Sequence, residues 1–144
     1  MNHSNKAAME PICTPLHVHS HFSLLQATPS VDALAARAAA EGLERLALTD
    51  TNSLYGMVAF ARACARHDVL PLAGMLLAVN IHEDAVAGAG QPDWVVLLAR
   101  NGEGYRSLCR LSSAIQAHPQ REQLAKTGVS WGDLAANRAG LACL

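Results

Sequence analysis

Leu16-His17-Val18-His19-Ser20 is the stretch with the clearest capacity for chemistry. On an extended segment, residues i and i+2 point to one face, so His17 and His19 share a side while Leu16 and Val18 point to the other. The apolar side can be buried, leaving two imidazoles to converge on one small ion or anion. Neutral imidazole is a common ligand for zinc and similar metals, so this H-x-H is a half-site for a metal. The competing reading is a pair of partly buried histidines hydrogen-bonded to their surroundings. A second polar cluster, Asp50-Thr51-Asn52-Ser53, follows the apolar run Leu43–Thr49. It can supply further ligands and cap the next helix.

The elements that must position these groups alternate between strand and helix. Ile12–His19 reads as a first strand, interrupted by Pro15, whose early part then lies at an edge. Ser30 is a good helix N-cap, Asp32 suits the positive end of the helix dipole, and Val31, Leu34, Ala35, Ala38 and Ala39 recur at helical spacing. Gly42 is placed for the C-terminal cap. Leu43–Thr49 is a second strand, and Gly56–Arg66 a second helix with Val58, Ala61, Cys64 and Ala65 on one face. Leu70–Val79 is an apolar strand with a kink or bulge expected at Pro71 and Gly74. His82–Pro92, with Gly88 and Gly90, reads as a flexible loop. Trp94–Ala99 has the length and continuous apolarity of a strand buried on both faces.

Gly102–Gln116 is the clearest helix, with Tyr105, Leu108, Leu111 and Ile115 as its inward stripe. Arg106 and Arg110 sit one turn apart outside that stripe and read as a solvated face, not a phosphate site. His118–Gly128 reads as polar and irregular. Ser130-Trp131-Gly132-Asp133 has the form of a helix start, giving a short helix to about Asn137. Gly140–Leu144 begins another strand. This alternation predicts mainly parallel strands with crossover helices, in a barrel or an open sheet. In such folds ligands gather beyond the carboxyl ends of strands, where His17, His19, Asp50 and the Gly74–Leu76 region would all lie.

A chain of 144 residues suits one domain. Residues 1–11 read as a disordered leader without a signal peptide's apolar core, and 12–144 as the domain. An end inside a strand reads as a fragment. No apolar run is long enough to span a bilayer, so no membrane partner is expected. A formal net charge of −1 gives no general attraction for nucleic acid, so no direct DNA binding is expected. The four cysteines are scattered singly, as in a reducing, cytoplasmic protein, with neither disulfide nor zinc-knuckle spacing.

Several of these segments also carry a resemblance. Pro15–Leu25 and Leu46–Gly56 resemble the first two motifs of the PHP (polymerase and histidinol phosphatase) domain, in the version found in bacterial DNA polymerase III alpha subunits and their error-prone relatives. Leu70–Gly74 resembles the third motif, and Trp94–Ser113 the segment after it, which favours the polymerase branch. The resemblance implies an α/β fold, part of a distorted (β/α)7 barrel truncated on its C-terminal side, whose rim holds up to three metal ions in the family.

The first motif's two histidines match His17 and His19. The second motif's aspartate matches Asp50, but its following histidine is Thr51. The third motif's glutamate, two residues past the glycine, is Leu76. A bridging carboxylate lets two cations sit close together, and Leu76 removes it. The resemblance thus implies a degenerate site of His17, His19 and Asp50, holding at most a single weakly bound divalent ion, zinc or manganese.

The expected function is structural or partner-binding, within a parent chain that is a DNA-directed DNA polymerase acting in DNA replication. The partners implied are the rest of that chain and a separate proofreading exonuclease subunit. No D-x-D pair is present for a polymerase palm, so this segment is not the polymerising site. The alternative is a metal-dependent phosphoesterase or pyrophosphatase of the same superfamily.

Overall fold

A computed structural model describes residues 13–23, 26–81 and 91–144. The expected leader and most of the expected loop at His82–Pro92 lie outside them. Helix α1 (Val31–Ala40) starts where Ser30 Oγ accepts the Ala33 amide at 3.1 Å. It ends at Gly42, whose φ of 73° suits the residue that turns the chain. Its small residues let it pack closely on α2 (Met57–Arg66) and over β1 (Arg45–Leu48), and side chains of all three share one core. Val31, Ala35, Ala38, Leu46, Leu48, Phe60 and Cys64 form that core. Burial pushes the Cys64 thiol up to about 11.

The second core lies under α3 (Gly102–Gln116). Leu108, Leu111 and Ile115 meet Met75, Leu77 and Val79 of β2 (Leu70–Asn80) and Leu97 of β3 (Asp93–Ala99). Tyr105 stays exposed at the end of the same stripe. Arg106 and Arg110 both pair with Glu103 on the solvated side, and their guanidinium groups hold its carboxyl below the usual range. The chain continues through α4 (Arg121–Thr127), β4 (Val129–Ser130), α5 (Trp131–Ala136) and β5 (Leu141–Cys143). Ser130 caps α5 as its sequence predicts, accepting the Asp133 amide at 3.0 Å.

The strands run in the order β1-β2-β3-β5, with β4 also paired to β2. β1 and β2 are parallel, Arg45 opposite Leu70 and Leu48 opposite Ala73. β2 and β3 are antiparallel, as are β3 and β5, which corrects the expectation of mainly parallel neighbours. The link between β2 and β3 carries Gly88, Gly90 and Pro92, residues that disfavour the helix of a parallel crossover. Gly74 stands at the handover, where β2 passes from pairing with β1 to pairing with β3.

Two further expectations change. Residues 13–20 run beside β1 without forming a ladder strand. Pro15 has no amide to give, and the Val18 amide goes to the Thr49 hydroxyl at 2.9 Å instead of to a carbonyl. Two bonds still tie the segment down, from Ala47 N–H to the Pro15 carbonyl and from Thr49 N–H to that of Val18, at 3.2 and 2.8 Å. Val18 packs on the first core as expected, but Leu16 remains exposed. The stretch 118–128, read as irregular, contains α4. That helix has no fully buried residue and rests on the second core through Leu124 alone, so it carries no apolar stripe.

Candidate metal centre

The end of β1 and the segment beside it bring the polar residues together. Asp50 follows β1 at the point where Thr49 is held by Val18, and it is only 2 % exposed. Its Oδ1 accepts from the Ser20 amide and from Ser23 Oγ, each at 2.7 Å. Its Oδ2 accepts from Ser20 Oγ, also at 2.7 Å. Bonds this short to a carboxylate are charge-assisted, and three of them offset much of the cost of burying it. Gly56 closes the far side. A Cβ there would stand 3.2 Å from Asp50 Oδ2 and 2.6 Å from the Phe22 ring.

His17 and His19 face each other, as the i, i+2 spacing predicts. Their Nε2 atoms are 2.8 Å apart and their rings meet edge to face, 4.7 Å between centroids. His19 Nδ1 lies 3.2 Å from Ser23 Oγ. Ser23 has one hydroxyl proton, which goes to Asp50, and its oxygen also takes the Thr51 amide at 3.1 Å. The network therefore requires His19 Nδ1 to carry a proton and donate it to Ser23. His19 Nε2 is then bare, and it accepts from the Nε2–H of His17. Two nitrogens on one tetrahedral zinc stand about 3.3 Å apart, so the shorter separation here suits a hydrogen bond. Burial, and then the neighbouring His17, lower the His19 pKa, opposed in part by the Asp50 charge.

The other two positions offer no imidazole or carboxylate. The Thr51 hydroxyl donates to Gln26 Oε1. Leu76 pairs with Thr51 through backbone, its amide donating to the Asp50 carbonyl at 3.1 Å. Its side chain packs against the apolar cluster of Ala47, Val96 and Leu98, as do Leu72 and Ala142. Among the described residues no three His, Cys, Asp or Glu side chains are grouped to hold an ion. The residues present do not fit a paired metal centre.

Three contributors escaped the sequence reading. Ser20 and Ser23 hold Asp50, and nothing in their spacing announces partners 30 and 27 positions away. Asn52, expected only as a ligand or cap, is buried with φ at 52°, and its Oδ1 accepts the Ala78 amide at 2.9 Å. Its signal was residue type, since asparagine tolerates the left-handed region better than most. The polar cluster does not cap α2. Gly56 stands at that cap, with no side-chain bond.

A two-layered α/β sheet with polar residues gathered at the end of β1 defines the class, and comparison with known proteins agrees. The PHP domain family matches residues 15–144, and the chain belongs to that family. It is 34% identical over 126 residues to DNA polymerase III subunit alpha of Halalkalibacterium halodurans, covering 88% of this chain and 10% of that one. It is 38% identical over 144 residues to the error-prone DNA polymerase of an Anaeromyxobacter strain, covering 93% and 12%. The chain thus spans about a tenth of the length of these relatives.

Among solved structures, an amidohydrolase from Chromobacterium violaceum superposes with a TM-score of 0.50 at 23% identity, over 72% of this chain and 34% of that one. A protein named as a metal-dependent phosphoesterase from Bifidobacterium adolescentis does so at 0.50 and 17%, over 88% and 43%. These likenesses establish the fold, the partial (β/α) barrel expected for the family. No helix among the described residues is long and apolar enough to cross a membrane.

Proposed function

We propose that this chain is the N-terminal part of a PHP domain in a polymerase III alpha-type protein acting in DNA replication, where it supports the polymerase core and does not hydrolyse phosphoesters. The observation that carries this reading is Leu76. Where the family's bridging carboxylate would stand, its side chain belongs to an apolar sheet face. A second cation there would meet hydrocarbon and no negative charge, a costly position for an ion. Of the residual set of His17, His19 and Asp50, only the two imidazoles have nitrogens turned to one another, so at most one ion is taken, weakly, because it must break the imidazole pair to bind. The partners are the remainder of the polymerase chain and a proofreading exonuclease subunit, and the setting is the cytoplasm.

The test is a hydrolysis assay on a phosphomonoester, a phosphodiester and pyrophosphate, with zinc or manganese supplied, alongside calorimetric titration of each ion. The expected outcome is no turnover above that of His19→Ala and no stoichiometric tight binding. Tight binding of two ions, or turnover abolished by His19→Ala, would establish the alternative, a phosphoesterase. The facing Nε2 atoms of His17 and His19 are the observation in favour of that second reading.

A further inference from the structure

We infer that Asp50 is a structural clamp and not an ion ligand: with Ser20 and Ser23 it fastens the histidine segment to the end of β1, so this rim holds its shape without metal. Both carboxylate oxygens are engaged, Oδ1 by the Ser20 amide and Ser23 Oγ, and Oδ2 by Ser20 Oγ. All three donors come from the segment that carries His17 and His19, while Asp50 belongs to the strand end. These bonds therefore join two parts of the chain some thirty residues apart, beyond the backbone bonds at Pro15 and Val18, and they alone hold the part from Ser20 onward to a buried charge. Gly56 lies against the remaining side with Phe22 next to it, and Asp50 is only 2 % exposed.

Ser23 makes the arrangement cooperative. Its proton goes to Asp50, and its oxygen accepts both the Thr51 amide and His19 Nδ1–H. Removing the carboxylate would leave Ser20 and Ser23 with buried donors and no acceptor, and would free the hydroxyl that orients His19. Here the aspartate turns toward its serines, and those bonds draw the strand end and the histidine segment together.

The inference shares with the proposed function only the denial of a paired centre, and its experiment reads stability, not hydrolysis. Hydrolysis by an ion held on the imidazoles would sink the proposed function and leave the clamp standing. Thermal unfolding of the whole chain would be followed in EDTA, and with zinc or manganese added. The expected result is one melting temperature for the wild type in all conditions. Asp50→Asn should lower it by about 10 °C, and Ser23→Ala by about 5 °C, alike with and without ion. His17→Ala should leave it in place.

If Asp50→Asn gives no folded protein, Ser20→Ala and Ser23→Ala carry the test, since each removes a hydroxyl while keeping the carboxylate. A wild-type melting temperature that falls in EDTA, a loss in Ser23→Ala that zinc restores, or an Asp50→Asn melting temperature equal to wild type would each overturn the inference.

Discussion

His19 is the imidazole whose protonation disturbs most. In its neutral form it donates through Nδ1 to Ser23 and accepts at Nε2 from His17. A proton on Nε2 would end its acceptor role and force His17 to give up its own Nε2 proton. Burial and His17 lower its folded pKa, so the unfolded chain takes up the proton first as pH falls. Stability from this residue is therefore full above the unfolded value of about 6.5, and is lost as pH falls from there toward the lower folded value. Melting temperatures measured between pH 8 and 5 should decline through that window, and His19→Gln should flatten the decline. At this scale the H-x-H pairing was legible, because strand geometry alone puts alternate side chains together. The fate of Asp50 was not, since its partners are short serines in a distant segment and their hydrogen bonds leave no periodic trace.

β2 is the element on which the sheet turns. It pairs with β1 in parallel and with β3 antiparallel, and a Cβ at Gly74 would meet the Leu97 carbonyl at 2.7 Å and Thr49 Cγ2 at 2.8 Å. Gly74→Ala is expected to cost roughly 2 kcal/mol, because backbone and a buried strand must give way together. Gly102→Ala is the control: it opens α3 with no atom in the way, and should change stability little. Denaturant midpoints of both variants check the contrast. The apolar runs announced β1, β2 and β3, and the stripe of Leu108, Leu111 and Ile115 announced α3, though Tyr105 at its head is exposed. Strand direction was hidden, because burial on both faces looks the same in parallel and antiparallel strands. Helix α4 was hidden too, since a helix that meets the core through one leucine shows no stripe.

Over the whole molecule, the α1–β1–α2 unit and the β2–β3–α3 unit each have their own buried cluster. Leu54 and Ala73 pack against both clusters. The polar rim sits where the two units meet: Asn52, just past β1, accepts from Ala78 of β2 at 2.9 Å and from Gln116 of α3 at 3.1 Å. Family membership was legible at this scale because linked motifs span both units. The apolar face around Leu76 was not, since its members come from four strands and no segment of sequence displays it.

That shared seam has a kinetic consequence. Contacts between β2 and β3 are close in sequence, whereas β1 reaches β2 only across α2, so loop-closure entropy favours the hairpin half as the earlier cooperative unit. Leu54 then acts as the coupling through which one unit's order is felt by the other. Leu54→Ala is expected to remove about 2 kcal/mol and to split native-state hydrogen exchange into two populations. Amides of β1 would open at lower free energy than those of β3. A uniform rise in exchange across both units would show instead that the chain opens as one.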